Sequence, residues 1–304
     1  MSGSSRLVSW AALLLAFGCA SSPKPTPPLE TGHLLLVGGG PIPETIRRRF
    51  VELAGGAGKA RIVVFPMASE DPEAGAEAAQ EFEALGARAD RIVFDRAGAS
   101  TDGAAHRLDG VTGIWFGGGD QSRQTAALQG TPVEAAIHQR YREGAVVGGT
   151  SAGAAVITTP MITGDEKHPG GSRPPKDPSD SSSAFLTIAR DNIVTKDGFD
   201  LLPGAIVDQH FVRRRRHNRL ISLVLEHPDL IGVGIDESTA LEVDPDGTWH
   251  VLGESVAVIY DARHALITPS GAESLGAADV RLQILPAGSV YDPRSGKATL
   301  PAAP

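Results

Sequence analysis

Ser151 stands at the centre of Gly149-Thr150-Ser151-Ala152-Gly153, between two apolar runs, Ala145–Val147 and Ala154–Ile157. The first run reads as a buried strand and the second as the start of a helix. A serine at a sharp strand-to-helix turn, with a glycine two residues to either side, is the pattern of a nucleophile elbow. A strained turn takes positive φ or brings backbones close together, and a Cβ obstructs both. Amides at the helix start would then face a developing oxyanion. The same five residues also fit a small-residue turn that packs a helix on a sheet, so the chemistry needs partners elsewhere.

A serine hydroxyl is a weak nucleophile near neutral pH and needs a base. Of nine histidines, His106, His138, His217 and His227 fall in helical or loop stretches and are expected at the surface. His210 follows the apolar run Leu201–Val207, which as a strand would deliver it to the C-terminal edge of a sheet. An imidazole in that role is oriented by a carboxylate. Glu237 follows another apolar run, Ile231–Ile235; Asp236, Asp208 and Asp200 compete with it, and spacing does not choose among them. The order serine, histidine, acid differs from that of the α/β-hydrolases and from the chymotrypsin and subtilisin types. A dense positive run, Arg213–Arg216 with Arg219, follows His210. Such a run is usually a solvated helix face. Beside a catalytic histidine, guanidinium forks also suit bidentate capture of carboxylates.

The elements that must hold these residues alternate. Strands are predicted at His33–Val37, Arg61–Pro66, Arg91–Phe94, Val111–Phe116, Ala145–Val147, Leu201–Val207 and Ile231–Ile235. Helices are predicted at Glu44–Ala54, Pro72–Leu85, Val133–Arg142 and Arg213–Leu225. Thr131 caps the third of these, with Pro132 in its first turn. This alternation predicts an α/β fold with a mostly parallel sheet flanked by helices and a site at the strands' C-terminal edge. Glycine turns at Gly38, Gly117 and Gly148 each follow a strand and should gather at that edge. Neither Gly38-Gly39-Gly40 nor Gly117-Gly118-Gly119 has the spacing of a nucleotide phosphate loop. After Ser238, short strands with turns at Asp246-Gly247 and Gly253 predict a small C-terminal antiparallel extension. Residues 164–183, rich in proline and serine, predict a surface insertion that could serve as a flap over the site.

The chain has 304 residues, 41% hydrophobic and 21% charged, which suits one sizeable soluble domain over residues 32–304. A net charge of −8 argues against a nucleic-acid binder built on overall charge. There is no HExxH pattern and a single cysteine, so neither a metal nor another cofactor is expected. That cysteine, Cys19, closes a leader: Arg6, the apolar run Val8–Phe17, then Gly18. Residues 1–18 therefore read as a signal peptide. The small residue before Cys19 is like a lipobox, which predicts lipidation of Cys19 and membrane attachment through that lipid. Residues 19–31 read as a Ser/Pro tether. An exported outer-membrane lipoprotein is the expectation, with a secreted or periplasmic protein as the alternative.

Four motifs together carry a family resemblance. Gly117-Gly118-Gly119-Asp120-Gln121, Gly149-Thr150-Ser151-Ala152-Gly153-Ala154-Ala155, Asp208-Gln209-His210-Phe211 and Gly232-Val233-Gly234-Ile235-Asp236-Glu237 resemble, in order, the cyanophycinase-type members of peptidase family S51. The resemblance spans roughly Leu34 to Ala262. It implies a class I glutamine amidotransferase-like (flavodoxin-like) three-layer α/β sandwich. It implies a serine exopeptidase in which Ser151 is nucleophile, His210 base and Glu237 the orienting acid. Amides of Gly119 and Ala152 would form the oxyanion hole. Gln121, Asp208, Gln209, Arg214, Arg216 and Arg219 would bind substrate, with the arginines meeting carboxylates and Asp208 meeting a substrate arginine. A β-Asp-Arg polymer or related aspartyl peptide is the implied substrate, and a homodimer is compatible with the resemblance. An aspartyl dipeptidase of the same family, or a non-catalytic lipoprotein that binds acidic peptides, are the other readings.

Overall fold

The computed structural model describes residues 32–167, 185–272 and 274–302. The leader, Cys19 and the tether lie outside the described residues, as does most of the insertion, residues 168–184.

Five strands form the parallel half of the main sheet: β1 (Leu34–Val37), β2 (Arg61–Phe65), β3 (Arg88–Arg91), β4 (Gly113–Phe116) and β5 (Val146–Thr150), in the order β1-β5-β4-β2-β3. Apart from β3, these strands are buried continuously rather than alternately because both faces are covered. Leu35 and Val37 of β1, Ile62 and Val64 of β2, and Trp115 of β4 pack on α1 (Glu44–Leu53) and α2 (Ala76–Ala84). Phe50 and Phe82 from those helices both meet the Trp115 ring edge-on, with centroids 5.0 and 5.4 Å away. Leu34, Leu36, Val63, Phe65, Ile114 and Phe116 face the opposite way. Two single-turn helices, α3 (Arg96–Ala99) and α4 (Asp102–Ala105), lead into that side. It is completed by α5 (Gln121–Leu128), α6 (Pro132–Arg142) and α7 (Ala152–Ala155). Thr131 caps α6 by accepting from the Glu134 amide, with Pro132 at the first helical position.

The same inner core is shared with a second sheet. A hairpin, β6 (Met161–Glu166) with β7 (Ile193–Lys196), leads to β8 (Ala205–Gln209). The helix α8 (His217–Glu226) connects β8 to the parallel strand β9 (Ile231–Ile235) and covers that sheet's outer face. The C-terminal antiparallel strands divide between the sheets. β10 (Thr239–Val243) and β11 (Trp249–Gly253) extend the main sheet beyond β1, whereas β12 (Val256–Asp261) pairs with β9. A short pair, β13 (Leu266–Ile267) and β14 (Ala277–Ala278), precedes β15 (Arg281–Pro286), which closes the smaller sheet. β16 (Val290–Asp292) and β17 (Lys297–Thr299) return to the main one. The extension is thus no separate appendage: it supplies neighbours to two otherwise unpaired edges, β1 and β9.

Several element boundaries differ from the sequence reading, three of them for a reason visible in the fold. The third strand is Arg88–Arg91, not Arg91–Phe94, because an edge strand with one face exposed and the other only partly buried lacks an apolar run. The apolar residues Leu201 and Leu202 belong to a turn packed into the core, so β8 starts later and carries Asp208 and Gln209 within it. Residues 213–216 form a turn rather than the first helical turn of α8, since Arg215 takes φ +54°.

Candidate active site

Ser151 lies between β5 and α7 with φ +54° and ψ −112°. Its amide donates to the Val37 carbonyl at 3.0 Å, tying the turn to the end of β1. The flanking glycines are steric necessities: a Cβ on Gly149 would lie 2.6 Å, and one on Gly153 2.1 Å, from the Phe116 carbonyl oxygen. Strand end and helix start thereby close over β4, and a strained serine is held at the apex.

His210 and Glu237 arrive from the other sheet, one following β8 and the other following β9. The end of β1 joins the two halves. His210 N donates to the Gly38 carbonyl at 2.6 Å, and Gly38 N donates to the Thr239 carbonyl at 2.9 Å. Gly39, at φ +100°, runs so close beneath the imidazole that a Cβ there would sit 2.3 Å from Cε1. His210 itself takes φ +49°.

The side chains meet in series. Ser151 Oγ is 2.8 Å from His210 Nε2, and His210 Nδ1 is 2.6 Å from Glu237 Oε1. Burial lowers the His210 pKa below its ordinary 6.5; the bond to Glu237 opposes this, while the charges of Arg214 and Arg216 push the same way. The ring is therefore neutral near pH 7 and able to take a proton. The turn Gly117–Gly119 lies against the serine, since a Cβ on Gly118 would be 3.6 Å from Ser151 Cβ. Among the described residues, the amides of Gly119 and Ala152 donate to no protein acceptor.

The remaining predicted residues divide. Gln121 is buried, and its Nε2 donates to the carbonyls of Ile162 and Thr163 at 2.6 Å each, so it braces β6. Asp208 and Arg219 are buried against each other: Arg219 Nε reaches Asp208 Oδ2 at 2.7 Å, and Nη2 bonds Oδ1. Phe185 stacks on that guanidinium at 4.9 Å. In this structure Asp208 and Arg219, both read from the resemblance as substrate contacts, face each other. Each already satisfies the other, out of solvent. Arg216 donates to the backbone carbonyl of Gln209 at 2.8 Å and also to its side-chain oxygen. Burial, and secondarily Arg219, lower the Arg216 pKa to about 10. Arg213, Arg214 and Arg215 are exposed.

Asp200 is exposed in the turn before β8, at the edge away from the serine, and cannot orient His210. Asp236 is near but turned elsewhere: its Oδ1 accepts from the amides of Val212 and Arg213. His217 is partly buried, with its Nδ1 2.8 Å from Tyr260 Oη. Sequence reasoning missed the role of Gly38 and Gly39 under the histidine; the signal was the glycine run itself, without its partner. At the opposite end of β1, ligand atoms of His33, Glu242 and Asp244 lie within 4.8 Å of one another. Glu242 is held there by the Arg49 fork at 2.8 and 2.6 Å, and Asp244 by His33 and His250.

A hydroxyl, imidazole and carboxylate in hydrogen-bonded series at a sheet edge, beside two unengaged amides, have the geometry of a serine hydrolase. Comparison narrows the class. The peptidase family S51 model matches residues 34–251. Cyanophycinase from Synechococcus elongatus is 38% identical over 254 residues, covering 81% of this chain and 73% of that protein. Cyanophycinase from Geminocystis herdmanii is 33% identical over 255 residues, covering 81% and 87%. The crystal structure of a peptidase from an acI-B1 Actinobacterium shares the fold with a TM-score of 0.61 at 21% identity, covering 87% of this chain and 98% of that one. The chain belongs to peptidase family S51 and is a serine-type peptidase.

Proposed function

We propose that this peptidase is an exopeptidase that hydrolyses peptide bonds in a β-Asp-Arg polymer or related aspartyl peptides through Ser151, His210 and Glu237. The observation that carries the reading is the unbroken series Ser151 Oγ, His210, Glu237, with distances of 2.8 and 2.6 Å. The similarity to cyanophycinases and the exposed arginines beside His210 support the substrate class.

In this reading His210 Nε2 takes the Ser151 proton as Oγ attacks the substrate carbonyl. Glu237, bonded at Nδ1, stabilises the imidazolium that forms. Amides of Gly119 and Ala152 receive the oxyanion. The proton on Nε2 passes to the leaving amine, and the acyl-enzyme remains on Oγ. Water, deprotonated by His210, then releases the acid and restores Ser151. Because Asp208 and Arg219 neutralise each other, the exposed Arg214 is the first candidate for a substrate carboxylate.

The Ser151→Ala chain should fold, as judged by circular dichroism and melting temperature, yet hydrolyse neither a β-Asp-Arg polymer nor its short oligomers. Turnover equal to the parent would overturn the assignment. Cleavage of α-linked Asp-Xaa dipeptides without action on the polymer would move it to an aspartyl dipeptidase. We further propose export and lipid attachment at Cys19, on the leader pattern alone. Mass spectrometry of the mature N-terminus decides this: an unmodified chain that retains residues 1–18 would refute it.

A further inference from the structure

Two adjacent carboxylates close β9 and serve different partners. Glu237 turns to the His210 ring at 2.6 Å. Asp236, 8% exposed, turns to the chain that follows His210. Its Oδ1 accepts from Val212 N at 3.1 Å and Arg213 N at 2.9 Å, and its Oδ2 accepts from Ser255 Oγ at 2.8 Å. Those two amides open the turn that carries Arg213–Arg216. Further along, Arg214 N donates to the His210 carbonyl at 2.9 Å and Arg216 N to the Phe211 carbonyl at 3.0 Å. The first amides of such a turn have no acceptor within it. Asp236 supplies one from another strand, as an N-cap residue does from its own chain.

The clamp and the acid share one frame. Ser255 N donates to Thr239 Oγ1 at 2.9 Å, and Thr239 Oγ1 donates to the Glu237 carbonyl at 3.1 Å. Ser255 therefore anchors the Asp236 side chain through its hydroxyl and the Glu237 backbone through Thr239. The arginine turn and the His210 orienter cannot shift independently.

We propose that Asp236 is a positioning residue for substrate recognition: it fixes the Arg213–Arg216 turn relative to the His210 ring, so that exposed guanidiniums receive a substrate carboxylate without further ordering. The proposal rests on the reading that these arginines meet substrate carboxylates. Asp236 touches neither the ring nor the reacting atoms, so its loss should act on binding more than on chemistry.

The test compares Asp236→Ala, Asp236→Asn and Ser255→Ala with the parent chain, on a short β-Asp-Arg oligomer and on the same oligomer with its carboxylates amidated. Asparagine keeps an oxygen for both amides and offers Nδ2 to Ser255 Oγ. We expect Asp236→Ala to raise KM for the unmodified oligomer on the order of tenfold, the loss of one charge-assisted contact. Its kcat should stay within about threefold of the parent. Asp236→Asn should stay close to the parent, and Ser255→Ala should fall between. On the amidated oligomer the KM effect should shrink or vanish, because that contact is missing in the parent too. An equal KM effect on both peptides, a loss confined to kcat, or Asp236→Asn as impaired as Asp236→Ala would each overturn the proposal. Hydrogen exchange reads the clamp without substrate. The Val212 and Arg213 amides should exchange faster in Asp236→Ala and unchanged in Asp236→Asn; unaltered exchange in Asp236→Ala refutes the clamp. Cleavage of neither peptide by the parent chain would refute the substrate reading alone, and exchange would still decide the clamp.

Discussion

Replacing Gly39 with alanine tests whether the glycine run beneath His210 exists for close approach. The new Cβ would lie 2.3 Å from His210 Cε1 and 2.4 Å from Nε2. Carbon contacts settle near 3.5–4.0 Å, so the ring or the Gly39 backbone must give by about 1 Å. The atoms struck form the ring edge that faces Ser151. A shift of that size takes the 2.8 Å Ser151–His210 contact to roughly 3.8 Å, beyond a hydrogen bond. Misplacement on this scale costs about 100-fold in rate. Alanine at φ +100° adds backbone strain of about 1–3 kcal/mol. Gly247→Ala separates the two effects, since Gly247 also has positive φ, +89°, but open space around its Cβ position. The assay is kcat/KM on a short β-Asp-Arg oligomer beside a thermal melt of both variants. Gly39→Ala should lose about two orders of magnitude in kcat/KM while Gly247→Ala keeps parent activity. If Gly39→Ala stays within about threefold of the parent, the steric reasoning fails.

Three further outcomes follow from the burial of the histidine and the charges around it. Because the His210 pKa is depressed, mainly by burial, kcat/KM should hold as pH falls through 6.5 and drop only below it. Arg214→Ala removes a charge that lowers this pKa, so the acid limb should move to higher pH; no movement in a pH–rate profile would show that Arg214 does not act on the ring. The same depression predicts stability present above the unfolded value of 6.5 and lost as pH falls through the folded pKa, measurable by urea unfolding at several pH values. Asp208→Ala should destabilise the fold by about 3–5 kcal/mol, since it strands the Arg219 cation in the interior. The double variant Asp208→Leu/Arg219→Met should recover most of that loss. A loss under about 1 kcal/mol in the single variant would mean that the pair is not buried in solution.

The fold class, Ser151, His210 and a choice of four acids for the third position were legible in the sequence. Ser151 between glycines, His210 and Glu237 after apolar runs, and the strand–helix alternation are local patterns, and local patterns survive without coordinates. Boundaries failed where a residue's role depends on its neighbours. β3 has no apolar run because it is a half-exposed edge, and α8 starts late because Arg215 has positive φ and Asp236 holds the preceding amides. The tertiary structure alone decided that the serine and its partners come from different sheets, joined at Gly38. It also chose Glu237 over Asp236 by where each carboxylate points. It closed Asp208 and Arg219 on each other, although both had read as contacts for substrate. The physical reason is common to all three. Which groups are desolvated, and which partner satisfies each, is set by contacts between residues far apart in the chain, and no spacing along one strand encodes them.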